Sequence, residues 1–424
     1  MEECRRRKEM RDQEMAQLEA EEAALEQAME EGLKTKEEKP KDLEKGTVVF
    51  DEGKGEKEKE KWIVEQKLGE GAFGTVYLVD GKGKKKAAMK TETKKSGGVL
   101  KMEKEAMEAL KGRPNTVQIF DLGVWGSLLF LVMSLVGPDL RKVKEWCQEK
   151  GGMAEELLLV MWIRVLASMK EVHESGYVHR DIKDENLCLA RASDFVNVYI
   201  LDFGMSRKFV TEAFGALRLR RPRASPAFRG NLLNASRRAH CGQDMARSDD
   251  VEALFFTFLG LSIRLPWSGC SDPSLIRIWK CERMPEVLKK APSPVFESIW
   301  KMIENSTFTS RPPYAEMFDT LMGRLTAMKG RLLTRPSFFD AFVQKGYLDG
   351  PSGAKLPKEE DEKKRIRSRL QRTEVGDGEA HLAPMLEDFF GIQKPKKQEK
   401  EAKKKPALPS STAAQNKTSR RRRK

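Results

Sequence analysis

The sequence predicts an α+β fold of two unequal lobes, a small β-rich N-lobe and a larger helical C-lobe, set between polar extensions that are largely disordered or helical. Three observations predict it. Between residues 62 and 342, apolar runs of strand and helix type alternate with turn signals, whereas both flanks are dense in charge. Early in that stretch, a glycine-rich loop sits inside a β-hairpin. Further along, residues 153–169, with Leu157, Leu158, Leu159, Val160 and Trp162, read as a helix buried in the larger lobe.

Composition agrees. At 424 residues the chain has room for one large two-lobed domain with polar chain to spare. Charged residues make up 34%, and the apolar share of 39% lies below the usual ~45–50%, as expected for a globular centre diluted by solvated flanks. A net charge of +14 favours acidic partners, whether acidic proteins, nucleic acid or anionic lipid, without choosing among them. The first ten residues are charged from the second onward and lack an apolar core, so no secretory signal is read there. The longest apolar stretch, 251–263, is interrupted by Glu252 and falls short of the ~20 residues a bilayer requires. Cys4, Cys147, Cys188, Cys241, Cys270 and Cys281 show no CxxC spacing and read as reduced thiols rather than a disulfide frame or a zinc site. The expectation is a soluble, cytoplasmic protein with no membrane span.

In chain order, residues 1–33 are rich in helix formers, and Gly32 offers a stop. Met15, Leu18, Leu25 and Met29 fall near heptad spacing, but Glu22 interrupts the seam, so a solvated helix is expected rather than a coiled coil. Residues 34–61 are almost entirely Lys, Glu, Gly and Asp, a charged linker too polar to bury a core. Residues 62–342 form the two-lobed domain. Residues 343–424 read as a basic, mostly disordered tail, with one apolar island at Met385, Leu386, Phe389 and Phe390 that is expected to dock somewhere.

The domain opens on Leu68, with Gly69, Gly71 and Gly74 in GxGxxG spacing. Glycine lets the backbone fold closely over phosphate oxygens because no Cβ intervenes. Dinucleotide-binding folds share the pattern, but there a helix follows the glycines. Here Thr75, Val76, Tyr77, Leu78 and Val79 are of strand type, and a polar turn leads to a second strand ending Ala87-Ala88-Met89-Lys90. A glycine loop in a hairpin with a lysine on the next strand is the arrangement of protein kinases. Lys90 requires a carboxylate partner on the following helical segment. Glu103 is the choice, with Glu105 and Glu108 competing on the same helix.

The most specific stretch is His179-Arg180-Asp181-Ile182-Lys183-Asp184-Glu185-Asn186, followed by Asp202-Phe203-Gly204. Phosphoryl transfer needs a carboxylate near the incoming hydroxyl, and Asp181 fits that role. Lys183 brings positive charge toward the transferring group. Asn186 and Asp202 supply oxygen donors of the kind Mg2+ prefers. His179 is read as a support for the loop backbone, and His173 as a surface or packing residue. Together these motifs match the bilobal protein kinase fold.

The segments after Gly204 narrow the resemblance. Phe228-Arg229-Gly230, Ala235-Ser236, Ala239-His240, Arg247-Ser248-Asp249-Asp250 and Leu265-Pro266-Trp267 resemble the casein kinase 1 family, in particular its tau-tubulin kinase branch. The likeness covers about residues 62–325. It implies that Met133 is the gatekeeper and Val136 the hinge contact for adenine. It also implies that Val76, Ala88, Cys188 and Leu201 line the adenine slot, and that Asp250 anchors the catalytic loop.

Two departures stand out. The family's threonine after Phe-Arg-Gly, which hydrogen-bonds the catalytic Asp and Lys, is Asn231 here. The Arg-Tyr that follows is Leu233-Asn234, which removes an anion-holding arginine. Reduced or altered activity is expected before absent activity. The resemblance implies a serine/threonine kinase using ATP and Mg2+ on protein substrates, and the charge balance suggests acidic ones. Nucleic acid is not expected as the main partner, and a monomer is favoured. Two other readings remain open. One is a pseudokinase scaffold that binds partners without turnover. The other is a binding protein whose basic tail engages microtubules or nucleic acid, with the Arg420–Lys424 run a nuclear import element.

Overall fold

The computed structural model describes residues 42–372, apart from 56–57, 72–73, 94–98, 114, 192–195, 214–215, 334–337 and 350–356, together with Gln13 and Gln17. The expected N-terminal helix, the apolar island at 385–390 and the basic run at 420–424 therefore lie outside the described residues.

The N-lobe is a six-stranded antiparallel sheet in the order β1-β2-β3-β4-β6-β5, built from β1 (Val48–Val49), β2 (Trp62–Gly71), β3 (Gly74–Gly81), β4 (Lys85–Thr93), β5 (Ile119–Trp125) and β6 (Leu128–Ser134). Strand alternation assigns its two faces. Ala87 and Met89 join Trp62, Val64, Tyr77, Val79, Phe130 and Val132 in a cluster on one side. Ala88, Leu131 and Met133 turn to the other side, toward helix α1 (Val99–Ala109) and the main core.

Part of the segment read as a charged linker is folded. Val48 pairs with Ile63 and Val49 with Trp62, so β1 extends the sheet. Asp51 Oδ1 accepts from the Val124 amide at 3.2 Å, Lys54 pairs with the buried Asp121, and Trp62 Nε1 donates to the same carboxylate at 3.1 Å. Two adjacent β-branched residues and a few charges with partners inside the domain suffice to order a stretch whose average composition is that of a solvated linker.

The C-lobe carries α2 (Leu140–Glu149), α3 (Glu155–Glu174), α4 (Arg237–His240), α5 (Arg247–Ser262), α6 (Pro273–Cys281), α7 (Met284–Leu288), α8 (Val295–Ile303), α9 (Tyr314–Ala327), α10 (Phe339–Gln344) and α11 (Glu359–Gln371). Helix α3 is buried at every position from Leu158 to Glu174, as its apolar run requires. Trp162 stacks on Phe258 at 5.0 Å and packs against Phe296 at 5.2 Å. The helix α11 lies within the stretch read as tail and buries Glu362, Ile366, Arg369 and Leu370. No helix among the described residues is long and apolar enough to cross a membrane. Short strands β7 (Tyr177–Val178), β8 (Leu187–Leu189) and β9 (Val198–Ile200) frame the catalytic loop. β10 (Arg207–Lys208), β11 (Val210–Ala213) and β12 (Ala216–Leu219) follow it.

Candidate active site

Three elements place the charged groups. Strand β4 points Lys90 to the cleft side, opposite Val76 on one neighbour and Leu131 on the other. The α1 helix brings Glu103 beneath it, and Asp202 comes from the loop after β9. Lys90 Nζ lies 2.7 Å from Glu103 Oε2 and 2.7 Å from Asp202 Oδ1. Of the three candidate carboxylates on α1, only Glu103 is buried, and it alone makes a described contact with Lys90. Burial works against the ammonium, but the two facing carboxylates hold its pKa well above the usual lysine range. Asp202 adopts a left-handed backbone, φ 63°, which turns its carboxylate toward the lysine.

Asp181 sits in the loop between β7 and β8. Its Oδ2 accepts from Lys183 Nζ at 2.7 Å and from Asn186 Nδ2 at 3.1 Å, and its Oδ1 accepts from the Asn231 amide at 2.9 Å. Asn186 Nδ2 also donates to the Asp181 carbonyl at 2.8 Å, leaving the side-chain oxygen as its free acceptor type. The loop is held from below by Asp250 at the start of α5. Its carboxylate accepts from the amides of His179 at 2.6 Å and Arg180 at 2.8 Å. Burial pushes the Asp250 carboxyl up, but its hydrogen bond with His173 and the His179 amide keep it below the usual range.

His173 is fully buried between Tyr314 and Asp250, with Nε2 3.0 Å from Asp250 Oδ2. The surface-or-packing reading missed this role, because the partner lies 77 residues away. His179 supports the loop as expected: Nε2 lies 2.9 Å from the Leu201 carbonyl, and the ring meets Phe203 edge-on at 5.0 Å.

The apolar candidates gather between the lobes. Ala88 and Met133 are direct cross-strand partners, and Val76, Val136 and Leu201 pack partly buried against the same core. Cys188 is buried on β8 and bridges Asp139 just beyond the hinge segment. Leu68 is exposed on β2, ahead of the glycines. A Cβ at Gly69 or Gly71 would meet nothing within 4 Å. Gly74 differs: at φ +144° its Cβ would lie 1.9 Å from the Thr91 carbonyl, which makes it a structural requirement of the hairpin. Asn186 and Asp202 are oxygen donors suited to Mg2+. Among the described residues no group of three or more His, Cys, Asp or Glu could hold a metal ion.

The departures from the family pattern are local and packed. The Asn231 side chain does not reach Asp181 or Lys183 in any described bond. Its Oδ1 instead accepts from the Leu233 amide at 2.9 Å, and only its backbone holds Asp181. Leu233 packs against the core, and Asn234 Nδ2 donates to Thr257 at 3.0 Å. Gly230, at φ +91°, passes so close beneath the Arg180 carbonyl that a Cβ would come within 2.4 Å. The activation segment is tied down by Asp244, which the sequence reading missed. That carboxylate binds Arg207 at 2.7 Å and takes three bonds from Arg223, at 2.8, 3.0 and 3.2 Å. Arg229 is buried.

A lysine clamped between two carboxylates, together with a loop carboxylate held by a lysine of its own, defines a phosphoryl-transfer type of site on a two-lobed scaffold. The family description Protein kinase domain matches residues 62–231, ending where the sequence departs at Asn231. A Caenorhabditis elegans protein assigned by name to the serine/threonine-protein kinases is 31% identical over 62% of this chain and 77% of its own length. A Dictyostelium discoideum protein similarly named is 28% identical, over 68% of this chain and 57% of its own. A rice protein named casein kinase 1-like is 27% identical, over 72% of this chain and 45% of its own. The chain belongs to the protein kinase family, and it spans about half the length of two of these relatives.

Proposed function

We propose that the protein transfers the γ-phosphoryl group of ATP to serine or threonine of other proteins. The observation that carries this reading is Lys90, paired at 2.7 Å with both Glu103 and Asp202. That geometry is the assembled arrangement of a kinase and not a displaced one. In this reading Lys90 orients the nucleotide phosphates, with Glu103 fixing its position. Asp181 orients the incoming hydroxyl and accepts its proton. Lys183 offsets charge on the transferring group. Asn186 and Asp202 would hold Mg2+, which would supply neutralisation of phosphate charge. Val76, Ala88, Met133, Val136, Cys188 and Leu201 receive adenine.

The likeness to casein kinase 1, and to its tau-tubulin kinase branch in residues 228–267, supports serine/threonine specificity. The net charge of +14 supports acidic substrates. The test is transfer of labelled phosphate from ATP and Mg2+ to an acidic protein. Asp181→Asn is expected to lower kcat by about 10²–10⁴-fold, the usual share of a general base, while leaving nucleotide affinity within about twofold. Retention of more than a tenth of turnover would contradict the assignment.

One observation favours a second reading. Because the Asn231 side chain serves Leu233 and not the catalytic pair, a pseudokinase scaffold is the alternative. Nucleotide binding without any transfer to a broad set of peptides would decide for it.

A further inference from the structure

The loop between α4 and α5 sends one carboxylate into the activation segment, and arginines from two other places close on it. Asp244 is 2% exposed. Its Oδ2 accepts from the Arg207 guanidinium on β10 at 2.7 Å and from the Arg223 amide at 3.0 Å. Its Oδ1 accepts from the Arg223 guanidinium at 2.8 and 3.2 Å and from the Met245 amide at 3.1 Å. Arg180, the residue before Asp181, lines one small cavity with Arg223, Arg229 and Asp244. The Arg180 guanidinium itself donates to the carbonyls of Met205, at 2.7 Å, and Ser206, at 3.5 Å, just ahead of Arg207.

We propose that Asp244 is a built-in anion that holds the activation segment in place of a phosphate, so that the segment is ordered without being phosphorylated. In kinases controlled by phosphorylation, an added phosphate orders this segment by pairing with arginines. Here Arg207 and Arg223 already meet a carboxylate that the chain carries permanently. Guanidinium groups take carboxylate and phosphate oxygens in the same fork geometry, so one anion can serve for the other. Between Glu212 and Gly230 the only hydroxyl is that of Ser225, which is exposed and two residues from Arg223. It is the one residue of that stretch able to carry a phosphate ester, and the inference gives it no part in switching.

The clasp reaches the catalytic loop from two sides. Arg207 pairs with Val178 across the β10–β7 ladder, and β7 runs directly into His179 and Asp181. Arg223 anchors the stretch that leads to Asn231, whose amide holds Asp181 Oδ1 at 2.9 Å. Losing Asp244 therefore loosens both sides of the loop, while every charged group of the catalytic cluster stays in the chain. The kinetic part of this inference rests on the phosphoryl-transfer reading; its anion-binding part does not.

The experiment compares full-length wild type, Ser225→Ala and Asp244→Ala, each treated with phosphatase and confirmed unmodified by mass. Thermal unfolding and kcat, corrected for the folded fraction, are read in inorganic phosphate and in sodium chloride of equal ionic strength. Wild type and Ser225→Ala are expected to share one kcat and to be indifferent to the choice of anion. Asp244→Ala should lose on the order of 10²-fold in kcat, the cost of a misplacement near 1 Å. Phosphate binding between Arg207 and Arg223 should restore most of that loss and raise the Tm of this variant alone. A role in stability only would leave the corrected kcat of Asp244→Ala at the wild-type value. If Asp244→Ala does not fold, the other two proteins decide: full activity without phosphate on Ser225 upholds the inference, and a need for it overturns it. If no protein transfers phosphate at all, the phosphoryl-transfer reading fails, and the phosphate-dependent Tm of Asp244→Ala decides by itself. An Asp244→Ala protein with unchanged kcat, or a deficit that phosphate leaves unrepaired, would overturn the proposal.

Discussion

The residues whose partners lie close in sequence, or in motifs of fixed spacing, were those the sequence named. Asp181, Lys183 and Asn186 fall within six positions of one another and bond to one another in the structure, and Lys90 pairs with Glu103 and Asp202. Residues whose partners are remote were not legible. His173 meets Asp250 across 77 positions, and Asp244 meets Arg207 across 37. Asp244 yields a prediction with a definite sign. Burial raises its carboxyl, but the hydrogen bonds and charges of Arg223 and Arg207 outweigh that and leave it depressed. A carboxyl depressed in the folded state contributes stability above its unfolded value of about 3.9, and that contribution fades as pH falls through the folded value. Asp244→Asn should therefore cost about 3 kcal/mol at pH 7, at the low end for breaking a buried pair. The gap from wild type in denaturant unfolding should narrow at pH 3, and a gap that does not change with pH would refute the account. Asn231 gives a second prediction. Its side chain serves Leu233, and a threonine there is expected to return a hydrogen bond to the catalytic pair. Asn231→Thr should raise kcat several-fold, by about the net worth of one hydrogen bond to a charged group, with KM for peptide little changed. Steady-state kinetics on one acidic peptide would show whether it does.

Among elements, α11 shows why a helix can escape a sequence reading. Its sequence, Glu-Glu-Asp-Glu-Lys-Lys-Arg-Ile-Arg-Ser-Arg-Leu-Gln, has two apolar residues and reads as solvated chain. It docks on α3 through charge as well as through Ile366 and Leu370. Glu362 pairs with Arg164, each side chain 2% exposed, and Arg369 Nε donates to Glu171 at 2.6 Å. Arg113, between α1 and β5, reaches the same acidic patch, 3.1 Å from Glu171 and 3.0 Å from Glu174. Hydropathy cannot see such an interface, because each charge is costly alone and acceptable only beside its partner. Glu362→Gln should accordingly destabilise the protein by about 3–5 kcal/mol, since it strands Arg164. The double variant Arg164→Met/Glu362→Leu should recover most of that loss. Thermal unfolding of the three proteins tests this, and a double variant no better than the single would show that the pair itself supplies the stability. The β1 strand teaches the same lesson on a smaller scale: two valines in a charged run found edge pairing that average composition concealed.

At the scale of the molecule, the alternation of strand and helix patterns made the two-lobed architecture legible, while the placement of the flanking chain was not. The proposed preference for acidic substrates, drawn from the net charge of +14, concerns encounter rather than the fold. Charges at the surface are screened over about 8 Å at physiological salt, so KM for acidic peptides should rise steeply with ionic strength. Neutralising two of Arg218, on β12, and Arg220 and Arg221, just after it, should raise it further with kcat nearly unchanged, the pattern of lost uniform binding. A KM insensitive to salt would show that recognition works by other contacts. The union of α11 with α3 has a consequence in time. Arg164 and Glu362 stand 198 positions apart, as do Glu171 and Arg369. A ribosome adding about 5–20 residues per second needs roughly 10–40 s to cover that interval. Throughout it, the nascent C-lobe shows water Arg164 without Glu362 and Glu171 without Arg369, ions that hydrate readily, in place of a wholly greasy seam. A surface closed by charge can wait for its partner without adhering to a neighbour's.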